Sequence, residues 1–151
     1  MRRADTVASY DPDTLRVLLI EDEADVARAI LRGLMRAGLM ALGASSGHAA
    51  LDLKCSFKPH VVLLDLVLTD MDGQSFVAML GSPRNCGVVV LSGMLDEADQ
   101  VIGGDFGADD FIAKPPHMRE LVARIRAVHR RVNLLGNQAR TTSGGQLGSR
   151  V

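Results

Sequence analysis

The segment Val61-Val62-Leu63-Leu64-Asp65 limits the possible folds more than any other stretch of this 151-residue chain. Four successive apolar residues leave no polar face at strand periodicity. The run therefore reads as a strand buried on both sides, as in the middle of a parallel sheet. It ends in a carboxylate. Ligands of open α/β sheets collect outside the carboxyl ends of the strands, so Asp65 stands where chemistry is expected. Taken alone, an Asp at that point serves equally as a loop residue or a helix cap.

Similar strands recur along the chain, separated by helical patterns. Leu15 to Ile20 forms the first strand, Leu39 to Ala44 a short second, Val88 to Leu91 the fourth and Asp109 to Ile112 the fifth. A helix starting near Ala24 or Asp25 carries Val26, Ile30 and Leu34 at i+4 spacing and stops at Gly38. Ser46 is placed to cap a second helix, about His48 to Ser56, ended by Lys58-Pro59. A short third helix spans about Gln74 to Leu80. A weak fourth spans about Asp96 to Ile102, beside Gly103 and Gly104, each of which costs roughly 1 kcal/mol inside a helix. The last helix, from about His117, has the best apolar stripe: Met118, Leu121, Val122, Ile125 and Val128. Five βα units predict a doubly wound α/β fold with a five-stranded parallel sheet and helices on both faces. Residues 1–14 are polar and expected to fray, 15–132 form the folded domain, and 133–151, rich in Gly, Ser, Thr, Gln and Asn, read as a flexible linker or tail.

Composition removes several classes of function. The net charge is −1, aromatic residues make up 3% and Trp is absent, so neither a basic footprint nor a base-stacking surface for nucleic acid is present. Cys55 and Cys86 are too few for a disulfide framework or a zinc site, and a reducing cytoplasm fits them. No apolar run approaches the roughly 20 residues of a membrane span. Asp5, Asp11 and Asp13 interrupt the start before any signal-like apolar segment forms.

Four strand ends carry polar groups: Glu21 and Asp22 after the first strand, Asp65 after the third, Ser92 after the fourth and Lys114 after the fifth. In a sheet ordered 2-1-3-4-5 the first and third strands adjoin at the switch point, and three carboxylates converge there. Such a cluster repels itself unless it holds a cation, and oxygen-only ligation suits Mg²⁺. The turn Glu21-Asp22-Glu23-Ala24-Asp25 has no glycines to present amides to a phosphate, which excludes a dinucleotide or P-loop site. A carboxylate beside Mg²⁺ can act as a nucleophile toward phosphorus, with the Ser92 hydroxyl and the Lys114 ammonium stabilising the transferred group.

The set Ile20-Glu21-Asp22-Glu23, Leu63-Leu64-Asp65, Met71-Asp72-Gly73, Leu91-Ser92-Gly93 and Gly107-Ala108-Asp109-Asp110-Phe111-Ile112-Ala113-Lys114-Pro115 resembles the receiver domain of bacterial two-component response regulators. The likeness covers about Leu15 to Arg131, and its last part, with Glu120 to Arg126, is most similar to regulators carrying a winged-helix DNA-binding domain. The resemblance implies a flavodoxin-like (βα)5 fold of order 2-1-3-4-5. It makes Asp65 the phosphoacceptor for a sensor histidine kinase or phosphotransfer protein. Mg²⁺ would be held by Asp22, by Glu21 largely through water, by Asp65 and by the backbone carbonyl of Val67. Ser92 and Lys114 would bind the phosphoryl group, with a cis bond between Lys114 and Pro115. Phe111 would turn inward as Ser92 moves, biasing the face made by the fourth helix, fifth strand and fifth helix. That face would pair two phosphorylated copies, and DNA would be reached only through an output domain absent from this chain.

Three departures from the family pattern have consequences. Thr69 stands where Pro is usual, which predicts a less rigid loop after Asp65. Val67 and Met94 flank the site with apolar side chains that cannot orient a hydrolytic water, which predicts a long-lived phosphoryl group. Pro116 stands where the related branch has an aromatic residue, which stiffens the start of the last helix. The competing readings are a docking module that acts without phosphorylation, a stand-alone phosphorelay receiver, and a small α/β enzyme or flavin carrier. The last lacks both a glycine-rich phosphate loop and a base–nucleophile pair.

Overall fold

In the computed structural model the described residues are 13–81, 84–93, 101–102 and 106–149, with side chains of the last helix described as far as Leu135. The elements run β1 (Arg16–Ile20), α1 (Ala24–Arg36), β2 (Met40–Ala44), α2 (Gly47–Phe57), β3 (Val61–Asp65), α3 (Gly73–Met79), β4 (Gly87–Ser92), β5 (Asp110–Ala113) and α4 (Met118–Ser149). Most of the weak helix expected between β4 and β5 lies outside the described residues, as does Met94. Val101 and Ile102, at its end, are helical.

The five strands form one parallel sheet in the order β2-β1-β3-β4-β5. Every residue of β3 and β4 is buried, as uninterrupted apolar runs require when helices cover both faces. Alternate residues enter different layers. Leu18, Ile20, Val62, Leu64, Val88 and Val90 pack with Ala50 of α2 and with Phe76 and Val77 of α3. Val17, Leu19, Val61, Leu63, Val89 and Leu91 pack on the opposite face with Ile30 and Leu34 of α1 and with Leu121, Ile125 and Val128 of α4. Each fully buried Val or Leu contributes about 2 kcal/mol of transfer free energy, which makes the sheet a stiff platform for its loops.

Local chemistry sets the ends of the elements. Gly38, at φ 90°, takes the left-handed turn after α1. Ser46 accepts the Ala49 N–H at 3.1 Å and caps α2; Asp72 accepts the Ser75 N–H at 2.7 Å and caps α3. Gly87 sits where α4 crosses β4, and a Cβ there would run into Val128 Cγ1. The last helix differs from the sequence expectation. Its backbone stays helical through residues 133–149, where a flexible linker is expected. No proline and no glycine at a stop position separates Val132 from Leu135, so nothing ends the helix at the domain edge. Leu134 and Leu135, 60% and 65% exposed, leave the core behind.

Candidate functional site

The parallel register sets the strand tips in a row. Ile20 pairs with Leu64, Asp65 with Leu91, and Ser92 with Ala113. The ladder continues just past the strands through Leu66 N–H to the Leu91 carbonyl at 3.1 Å and Lys114 N–H to the Ser92 carbonyl at 2.9 Å. Glu21, Asp65, Ser92 and Lys114 are therefore delivered by rigid backbone to one edge.

One carboxylate oxygen from each of Glu21, Asp22 and Asp65 lies within 4.8 Å of the others. Glu21 and Asp65 are buried, while Asp22 is exposed. The Lys114 ammonium closes the group, donating to Glu21 Oε1 at 2.7 Å and lying 3.3 Å from Asp65 Oδ2. Burial draws its pKa down, but the Glu21 hydrogen bond and the negative charge of Asp65 outweigh that and the net shift is upward. Lys114 is thus held as a cation against the two buried carboxylates. The all-oxygen donor set, with one member open to solvent, fits a hard divalent cation that keeps water ligands.

Ser92 is buried at the tip of β4. Val67 donates its N–H to Asp65 Oδ1 at 3.3 Å while its side chain is turned outward, the residue being 68% exposed. Phe111 lies inward, in the layer with Phe76, Val90 and Val101. The Lys114-Pro115 peptide bond is cis. The structure thus brings Glu21, Asp22, Asp65 and Lys114 into one cluster, with Ser92 and Val67 on the adjoining tip and loop and Phe111 in the layer below.

Sequence reasoning missed Asp70. Its Oδ1 accepts the Gly47 N–H at 3.0 Å, and its Oδ2 accepts the His48 N–H at 2.9 Å and lies 2.6 Å from His48 Nδ1. The His48 and Gly47 amides, in that order, hold the Asp70 carboxyl down at about 2, from 3.8. Ser46 already accounts for capping α2, so the sequence gives no signal for a second acceptor more than twenty residues away. Also missed was a brace at the far end of the sheet. Asp109 Oδ2 accepts the Val88 N–H at 2.7 Å and meets Arg84 at 3.0 Å.

Comparison with known proteins gives concordant results. The model of the response regulator receiver domain matches residues 17–126. The transcriptional regulatory protein KdpE of Mycobacterium tuberculosis is 41% identical over 115 residues, which cover 76% of this chain and 51% of that protein. The cell cycle response regulator CtrA of Brucella ovis is 39% identical over 118 residues, covering 78% and 51%. The chain thus spans about half the length of the curated relatives it matches. The receiver domain of Francisella response regulator 1452 superposes with a TM-score of 0.70 at 25% identity, covering 78% of this chain and 98% of that one. No helix among the described residues is long and apolar enough to cross a membrane. With its strand order, the carboxylates at its switch point and these relatives, the chain belongs to the response regulator receiver domain family.

Proposed function

We propose that this chain is the phosphoacceptor module of a two-component response regulator and receives a phosphoryl group on Asp65 from a histidine kinase or a phosphotransfer protein. The observation that carries this reading is the Lys114 ammonium, 2.7 Å from Glu21 and 3.3 Å from Asp65, inside a cluster of three carboxylates. A Mg²⁺ ion held by Glu21, Asp22, Asp65 and the Val67 carbonyl would neutralise charge on the phosphoryl oxygens. Asp65 supplies the nucleophile. One carboxylate oxygen forms the O–P bond as the N–P bond to the donor imidazole breaks. Lys114 then exchanges part of its contact with Asp65 for a phosphoryl oxygen, and Ser92 donates its hydroxyl to another. Phe111, packed inward beneath Ser92, reports that shift to the outer face of β5.

The output follows from the same reading. The face made by the helix preceding β5, β5 itself and α4 pairs two phosphorylated copies. Its charges are ordered, with Arg124 held by Asp110 and Glu120 at 3.0 Å each. Transcription is controlled through a DNA-binding domain joined beyond the helix of residues 133–149, in the cytoplasm. The module turns over no separate substrate and acts only in its own phosphorylation and dephosphorylation.

The test is intact mass after incubation with acetyl phosphate and Mg²⁺. The parent gains one phosphoryl group, about 80 Da, and Asp65→Asn gains none. A folded parent that gains nothing refutes the reading and leaves a docking module that works unmodified.

A further inference from the structure

We infer that Asp70 is a positioning residue for the metal, setting divalent-cation affinity by clamping the β3–α3 loop onto the first turn of α2. The inference rests on the function proposed above. The loop must present the Val67 carbonyl at a fixed point, and from within it only the partly buried Leu66 and Leu68 side chains anchor it. Val67 is largely exposed, its N–H reaches Asp65 only at 3.3 Å, and Thr69 brings no ring to restrict the backbone.

What holds the loop lies across the corner between β2 and α2. Both Asp70 oxygens accept backbone N–H groups there, from Gly47 at 3.0 Å and His48 at 2.9 Å. The start of a helix is the end that favours a carboxylate. With Ser46 taking the Ala49 N–H, three successive amides of that turn are satisfied, two of them by the loop. The next residue adds an apolar half to the clamp. Met71 lies so close to Gly47 that a Cβ there would sit 2.8 Å from its Cγ and Sδ. Beyond it, Asp72 caps α3. The loop is thus fixed at Leu66 by the Leu91 carbonyl and at residues 70–72 by two helix starts. Leu66 and Leu68 also pack partly against the core on either side of Val67, so releasing Asp70 loosens the outer half of the span that carries its carbonyl.

The test is Mg²⁺ titration of the full chain by calorimetry, for the parent, Asp70→Ala, Asp70→Asn and His48→Ala. Loss of a residue that orients a metal ligand costs about 10-fold or more in affinity, and that is the expected weakening for Asp70→Ala. Asp70→Asn keeps one acceptor and falls between. His48→Ala keeps the backbone N–H but loses the 2.6 Å ring contact to Asp70 Oδ2, and weakens Mg²⁺ binding less than Asp70→Ala does. Phosphorylation by acetyl phosphate at saturating Mg²⁺ falls far less than the affinity does, which separates positioning from general damage. A folded Asp70→Ala with the parental Mg²⁺ affinity overturns the inference. So does a rate at saturating Mg²⁺ that falls as far as the affinity. Asp22→Asn guards the underlying reading: if it leaves Mg²⁺ binding unchanged, the cation site itself is wrong and the clamp falls with it.

Discussion

Acidification to pH 5 will destabilise this domain through one histidine far from the candidate site. His60 lies just before β3, at the edge of the sheet opposite the carboxylates. Its Nδ1 accepts the Arg16 N–H at 2.9 Å, and its ring centroid is 4.7 Å from that of His129 on α4. Burial, then the charge of Arg16, then His129 push its pKa from 6.5 down to about 4. Protonation must place a hydrogen on the nitrogen that now accepts one. The unfolded chain takes up this proton at 6.5 and the folded chain only near 4. The stability is therefore fully present above 6.5 and is lost as the pH falls toward 4. At about 1.36 kcal/mol per pH unit the gap amounts to roughly 3 kcal/mol. The ring is partly open to solvent, so about half of that is expected, or roughly 1 kcal/mol by pH 5. Urea denaturation of the parent and of His60→Asn at pH 7.5, 6, 5 and 4.5 measures it. Asn can still accept from Arg16 but does not titrate. The parent should lose stability relative to the variant as the pH falls. Parallel curves for the two proteins would refute the reasoning.

Other outcomes follow from contacts elsewhere. Gly87→Ala puts a Cβ against Val128 and should cost about 1–3 kcal/mol, with Gly87→Ala/Val128→Ala recovering part of it in urea melts. Asp72→Ala removes the cap of α3 and should lower the urea midpoint in the same melts. Asp70, held at about 2 by the His48 and Gly47 amides, contributes stability that is present above 3.8 and lost as the pH falls toward 2. Asp70→Asn should remove that contribution, so that its acid unfolding below pH 3.8, followed by circular dichroism, differs from the parent's. The outward Val67 side chain predicts a phosphoryl group on Asp65 that outlasts seconds in purified protein, followed by mass after removal of acetyl phosphate. Decay within seconds counts against that role for Val67.

The strands and the convergence of Glu21, Asp22, Asp65 and Lys114 were legible because both depend on local patterns. A run such as Val61 to Leu64 has one way to be buried, and its register fixes where the next residue points. The short strands shift by a residue against expectation, since Leu39 and Asp109 flank β2 and β5 rather than begin them. Asp70, the Arg84–Asp109 brace and the His60–His129 pair were illegible for a common reason. Each joins residues more than twenty apart that have ordinary local roles, so only the folded backbone puts them together. The helical residues 133–149 were hidden by composition, because Gly and Thr weaken a helix without supplying a stop.

The length of α4 has a geometric consequence. Its 32 residues would span about 48 Å at the usual rise. The stretch to Val132 lies on the sheet, and from Asn133 onward the rod projects about 25 Å further. A continuous helix fixes angular phase as well as distance. Removing one residue after Val132 would turn whatever is attached at the far end by about 100°, whereas removing seven would return it to within about 20° of its original bearing. Length changes along this rod therefore act as rotations, and seven-residue steps are the ones that preserve the facing of an attached domain.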